Sequence, residues 1–152
     1  MTQLICHLFG DYVFQSDWMA REKTKHWWPC LCHAALYSAG FLFLRPSWKA
    51  LAVIAVTHYF IDRYRLARYV AWAKNWMGAV RPVYVNNAGD NLSFTDTGKR
   101  ARSWEASNLP FAACSATGYP PEVPPWMAVW LMIACDNTMH LFINYLALRF
   151  LP

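Results

Sequence analysis

The sequence predicts an all-α fold, a small transmembrane bundle of about four helices with one polar loop. Three observations carry this expectation. Of 152 residues, 57% are hydrophobic and 15% charged, richer in apolar side chains than an ordinary soluble domain. Apolar runs alternate with short clusters of charge and proline. Within three of those runs a His and an Asp stand four residues apart, one helical turn. The mean hydropathy of +0.12 is modest because nine Trp, eight Tyr and a polar middle segment lower it.

The first helical segment runs from about Thr2 to Met19 and ends at the charged cluster REKTK, residues 21 to 25. Its uninterrupted apolar stretch is short, which leaves a re-entrant helix as the alternative to a span. It has no basic leader followed by a small-residue cleavage site, so no removable signal peptide is expected. The second segment, His26 to Leu44, is long enough to cross a bilayer and stops at Arg45-Pro46. Trp27 and Trp28 suit a membrane interface, and Pro29 falls in the first turn, where proline is tolerated.

The third segment starts near Ser47, a candidate N-cap, and is expected to continue from WKALAVIAVTHYFID into the amphipathic basic stretch RYRLARYVAWAKNWMG, ending at Gly78. Residues 79 to 123 read as a polar insertion, with a short hairpin expected at Val83 to Thr95 and a proline-rich connector after it. The fourth segment, Pro125 to Phe150, is again of spanning length. The whole chain, 1 to 152, then forms one membrane-embedded domain. Its five cysteines are odd in number, and Cys6, Cys30, Cys32 and Cys135 fall in or beside apolar runs. They read as buried small hydrophobes rather than a disulfide framework.

Residues 20 to 25 and 63 to 124 carry eleven of the fourteen Lys and Arg; Arg45, Lys49 and Arg149 fall on the other side. The positive-inside rule places the large loop in the cytoplasm of a multi-pass bacterial inner-membrane protein, with both termini outside. The basic aromatic stretch from Arg63 to Arg81 is read as a surface for membrane lipids, with Arg63, Arg65 and Arg68 at anionic headgroups, rather than for a specific nucleic acid.

The pairs that carry chemistry are His7 and Asp11, His58 and Asp62, and Asp136 and His140. With six Asp in the chain, three such pairs among five His are an accident on the order of one in two hundred. Each pair presents a nitrogen and an oxygen donor on one helical face, and Gln15 and Asn144 extend two of the faces by a turn. A carboxylate facing lipid costs several kcal/mol, so these faces are expected to turn inward and meet.

Three imidazoles and three carboxylates on facing helices are a ligand set for one or two divalent metals: zinc first, manganese or iron as alternatives. His33, beside Cys30 and Cys32, is a further ligand or outer donor, and Asn137 an orienting group; His26 is interfacial. The competing reading is a metal-free clamp of His–Asp hydrogen bonds between helices, with a proton relay third. No Gly-x-Ser-x-Gly elbow supports serine hydrolysis, and haem would not require an aspartate beside each histidine.

HLFGDYVFQSDWMA, REKTKHWW, THYFIDRYRLARY and DNTMHLFINYLALR resemble, over the whole chain, a family of small phage- and prophage-encoded membrane proteins of unknown function. The shared pattern is H-x3-D-x3-Q, H-x3-D and D-N-x2-H, falling here on His7, Asp11, Gln15, His58, Asp62, Asp136, Asn137 and His140. A looser similarity is to inner-membrane metal-dependent hydrolases, without counterparts of their His-Arg-rich and His-Ser motifs. The expected function is a metal-dependent hydrolase of a lipid or phosphoester. The alternative is a non-enzymatic phage protein that blocks host defence or superinfection through a host membrane protein. A homo-oligomer is compatible with either.

Overall fold

The computed structural model describes residues 1–78, 81–85, 101–105, 109–121 and 123–151, the two segments 81–85 and 101–105 through their backbone. The chain forms two compact units, Met1–Leu66 with Asp136–Pro152, and Ala67–Cys135. Helices dominate the described residues.

The N-terminal segment is not one helix. Helix α1 (Thr2–Leu8) widens into a π-helical turn at Phe9–Val13, closed by the Phe14 N–H donating to the Phe9 carbonyl at 2.8 Å. Gly10 in that turn lies against Tyr37: a Cβ there would stand 3.2 Å from the Tyr37 Cα. Ser16 then caps a separate helix α2 (Asp17–Glu22), its hydroxyl accepting from the Met19 N–H at 3.3 Å. The continuous helix expected over Thr2–Met19 is broken because Gly10 favours close approach and Ser16 favours an N-cap over a helix interior.

Helix α3 (Trp27–Gly40) runs into a 3₁₀ turn at Phe41–Leu44, and Arg45 ends it in the left-handed region at φ 50°. Pro46 follows, and a residue before proline is disfavoured in the helical conformation. Ser47 caps α4 (Trp48–Tyr64) as expected: its oxygen accepts from the Ala50 N–H at 3.1 Å while its O–H donates to the Leu151 carbonyl at 2.6 Å. One hydroxyl thus both starts α4 and ties it to the end of the chain.

The expected continuation of that helix to Gly78 is corrected by the structure. Arg65 takes φ 51°, the Arg65 N–H donates to the Asp62 carbonyl and the Leu66 N–H to that of Ile61. This is a Schellman C-cap, which satisfies the last carbonyls and turns the chain out of its helix. Helix α5 (Ala67–Trp76) restarts beyond it in the second unit. There Ala71, Tyr119 and Ala128 form a small core, and the Trp72 indole donates to the Leu109 carbonyl at 2.9 Å. Strands β1 (Arg81–Val85) and β2 (Ala101–Glu105) pair antiparallel, Val83 opposite Ser103. The expected hairpin at Val83 to Thr95 shares only its first strand with this pair, and residues 86–100 lie outside the described ones.

Helix α6 (Pro125–Phe150) has the predicted bounds. It and Trp27–Leu44 are long and apolar enough to cross a membrane. Helix α4, at 17 residues, reaches roughly 26 Å against a hydrocarbon core of about 30 Å. The turns from Thr2 to Val13 are shorter still. Two of the four expected spans therefore have the necessary length.

In the first unit Cys6, Tyr37, Phe41, Ala50, Ile54 and Ala147 pack together, yet its buried set also holds His7, His33, His58, Asp62, His140 and Asn144. Phe9, Phe14, Phe43, Phe142 and Tyr145 face outward. Polar groups thus share the interior with an apolar core, while many large apolar side chains are exposed. Of the cysteines, Cys6 and Cys30 are buried as expected, whereas Cys32 and Cys135 are partly exposed; none of the five is in a disulfide.

Candidate metal centre

Four segments of the first unit deliver the predicted side chains to one place. The π turn supplies Asp11, α3 supplies His33, α4 supplies His58 and Asp62, and the middle of α6 supplies Asp136 and His140. On an unbroken helix Asp11 would stack directly over His7. In the π turn Asp11 keeps Oδ2 3.4 Å from His7 Nδ1 and turns Oδ1 toward His33 on α3 and His58 on α4.

His33 Nε2 and His58 Nε2 face each other at 3.0 Å. Both face Asp62 Oδ2, at 3.1 and 3.3 Å, and Asp11 Oδ1, at 3.3 and 3.5 Å. These four atoms therefore have five mutual separations between 3.0 and 3.5 Å. Metal bonds of about 2.0–2.1 Å set tetrahedral donor–donor edges of about 3.3 Å. His140 Nε2 stands on the other side of the same carboxylate, 3.4 Å from Asp62 Oδ1 and 3.5 Å from Asp136 Oδ2.

Hydrogen bonding alone serves this arrangement poorly. One N–H on each ring cannot satisfy a facing imidazole and two carboxylates together. Asp11 Oδ1 and His140 Nε2 are buried without a hydrogen-bond partner, although carboxylate or imidazole atoms lie within 3.5 Å of each. They are near one another and aimed between one another, as donors around a shared cation are. The groups Asp11/His58/His140, His33/His58/Asp62 and Asp62/Asp136/His140 each have spacing that could hold a metal ion.

His7 keeps its pairing with Asp11, Nδ1 lying 3.4 Å from Asp11 Oδ2, but its hydrogen bonds run to other residues. Asn144 Nδ2 donates to Tyr37 Oη at 2.6 Å, so the Tyr37 O–H is free to donate to His7 Nδ1 at 2.8 Å. His7 Nε2–H then donates to Asn137 Oδ1 at 3.2 Å, and Asn137 Nδ2 to Tyr12 Oη at 3.0 Å. In this ordering His7 accepts at Nδ1 and carries its proton on Nε2. With both ring nitrogens engaged, His7 supports the cluster rather than joining it. His33, weighed as ligand or outer donor, is in the cluster itself.

Two participants carried no motif in the sequence. Tyr37 is fully buried, anchors His7 and Asn144, and lies flat on His58 with centroids 3.6 Å apart at 17°. The Nδ1 atoms of His33 and His58 have no hydrogen-bond partner, so packing on Tyr37, rather than an outer acceptor, orients His58. Lys23 is the other: its ammonium donates to Asp62 Oδ2 and to Gln15 Oε1, both at 2.7 Å. A signal for Tyr37 existed in the four-residue steps His33-x3-Tyr37 and His140-x3-Asn144; Lys23 was hidden in a charged turn.

The arginines expected at lipid headgroups have protein partners. Arg63 donates to the Thr24 and Lys25 carbonyls and so pins the charged turn to α4. Arg65 forms the C-cap of that helix, and in the second unit Arg68 lies over the rings of Tyr69 and Phe111. His26 is exposed beside Glu22, as an interfacial residue would be. The Glu22 carboxyl in that same turn is held below the usual glutamate range, chiefly by the hydrogen bond from Lys25.

The fold and cluster define a class: a helical protein whose first unit buries a cluster of histidine and aspartate and exposes large apolar side chains. The chain belongs to the DUF3307 family, a protein family of unknown function, whose sequence model matches residues 1–83. That segment includes Asp11, Lys23, His33, His58 and Asp62, while Asp136 and His140 lie beyond it. No curated protein and no solved structure matches the chain.

Proposed function

We propose that this protein is a membrane-embedded, metal-dependent hydrolase acting on a lipid or another phosphoester. The observation that carries the reading is the convergence of Asp11, His33, His58, Asp62, Asp136 and His140 at donor–donor spacings that suit a divalent ion. Mixed imidazole and carboxylate donors favour zinc, with manganese or iron as alternatives. Such an ion polarises a scissile bond and lowers the pKa of a water at its open position. Asp136 is the most exposed of the six, with 29% of its side chain accessible, and marks the side from which substrate and water enter. Lys23, partly exposed beside Asp62, supplies positive charge for an anionic headgroup.

The exposed large apolar side chains and the buried histidines and aspartate support the membrane setting, with Trp27–Leu44 and α6 as spans and α4 as a shorter one. The N-terminal turns reach into the bundle without crossing it. In this reading the basic segments face the cytoplasm of a bacterial inner membrane. An apolar groove of about 280 Å³ between α3 and α4, lined by Leu31, Ala34, Ala35, Ala55, Val56 and Phe60 among others, suits an acyl chain and favours a lipid among the phosphoesters.

One observation favours a second reading. Lys23 already neutralises part of the charge on Asp62 at 2.7 Å, as a metal-free clamp requires. In that case the protein is a non-enzymatic membrane protein, phage-encoded and acting on a host membrane partner. Elemental analysis of detergent-purified protein, with hydrolysis assays on phospholipids and soluble phosphoesters before and after chelation, separates the two. Stoichiometric metal and chelator-sensitive hydrolysis are expected; metal-free protein whose melting temperature ignores chelators and added metal overturns the proposal.

A further inference from the structure

We infer that the centre is dinuclear, with Asp62 as the carboxylate that bridges two divalent ions. This deepens the metal-centre reading above and rests on it. The two oxygens of Asp62 face different donor sets. Oδ2 lies 3.1 Å from His33 Nε2 and 3.3 Å from His58 Nε2, and Asp11 Oδ1 lies 3.3 and 3.5 Å from the same two nitrogens. Oδ1 lies 3.4 Å from His140 Nε2, which in turn lies 3.5 Å from Asp136 Oδ2.

The first group offers an ion three donors at ligand spacing, His33, His58 and Asp62, with Asp11 Oδ1 beside its two nitrogens. It leaves His140 unexplained. This imidazole is 1% exposed, its Nε2 has no hydrogen-bond partner, and it points at the Asp62 oxygen that the first group does not use. A buried donor of that kind, paired with a partly open Asp136, is the protein half of a second site with positions left for water or substrate. A carboxylate shared through both oxygens holds two ions at the roughly 3.5–4 Å separation used in two-metal hydrolysis.

Charge orders the loading. Asp11, Asp62 and Asp136 carry three negative charges when ionised, which one divalent ion and the Lys23 ammonium balance. The second ion brings excess positive charge, so it binds more weakly than the first and more tightly when an anion accompanies it. Removing the ammonium from Asp62 strengthens it.

The test is manganese titration of the detergent-solubilised full chain, followed by equilibrium dialysis with elemental analysis and by electron paramagnetic resonance, with and without inorganic phosphate. Two equivalents are expected at saturation, the first giving an isolated-ion signal and the second converting it to an exchange-coupled one. Asp136→Asn should retain one ion and the uncoupled signal. His33→Gln should lower first-site affinity at least tenfold, and Asp62→Asn should abolish the coupling. Gel filtration and helical circular dichroism exclude any variant that has lost its fold, and the wild-type titration decides without one. A plateau at one equivalent, or two equivalents without coupling, overturns the bridge while leaving a metal centre; no binding overturns the metal centre as well.

Discussion

The Lys23 ammonium donates to Asp62 Oδ2 at 2.7 Å, joining the turn after α2 to a carboxylate of which 4% is accessible. It meets the same oxygen that His33 and His58 face. The contact is therefore both an ion pair holding the N-terminal segment onto α4 and a competitor for any cation at that oxygen. The two roles predict opposite effects of one substitution.

Lys23→Met should destabilise the metal-free protein by about 2–4 kcal/mol, since breaking a buried pair leaves a carboxylate without its partner. The same variant should bind zinc more tightly than wild type, because the competing ammonium is gone. Thermal unfolding in detergent and competition with a chelating dye measure the two effects. A variant that is less stable and also binds zinc more weakly would contradict the competition.

Tyr37→Phe removes an oxygen that contacts both His7 and Asn144 in the buried interior. Leaving those two groups unpaired should cost about 1–3 kcal/mol each. The aromatic stack on His58 survives in this variant, so metal stoichiometry should be unchanged. Tyr37→Leu loses the stack as well and should lower metal affinity, which isothermal titration would register as a rise in Kd relative to Tyr37→Phe.

Gly10→Ala places a methyl group against the Tyr37 ring and backbone. Overpacking of this kind costs about 1–3 kcal/mol, and here it should also push the π turn away from α3 and withdraw Asp11. The double variant Gly10→Ala/Tyr37→Phe should not recover stability, because the clash is with ring carbons rather than the hydroxyl. A melting temperature equal to wild type in Gly10→Ala would show that the turn does not depend on this approach.

Phe142 is 61% exposed on α6 and points away from His140. In a bilayer, arginine there should disfavour insertion by about 2.5–3.5 kcal/mol. Phe142→Arg should therefore raise the alkali-extractable fraction of protein in isolated membranes. Ala147, buried in the first core, should instead report on packing, with Ala147→Leu lowering stability without changing extraction.

The helical class, the Ser47 cap, α6 and the inward-facing His and Asp side chains were legible in the sequence because each follows from spacing within one segment. Four-residue periodicity identified five of the six clustered donors but offered His7 as the sixth, with His33, beside Cys30 and Cys32, left as a ligand or an outer donor. It failed where a local choice depends on distant packing. The break at Arg65 places a non-glycine residue in the left-handed region, which no turn residue announced, and the π turn depends on how closely Gly10 meets Tyr37.

His7 is the clearest case, since the same His-x3-Asp spacing that places His58 in the cluster leaves His7 outside it. Its two nitrogens are taken by Tyr37 and Asn137, residues thirty and more positions away. By itself the sequence determined which side chains share a helical face and that such a face has to be buried, because an ionised or strongly polar group in apolar surroundings must find partners. Tertiary structure alone decided which partners those are, since hydrogen-bond and metal-ligand geometry is settled to tenths of an ångström by packing between helices, and periodicity along one helix carries no information about its neighbour.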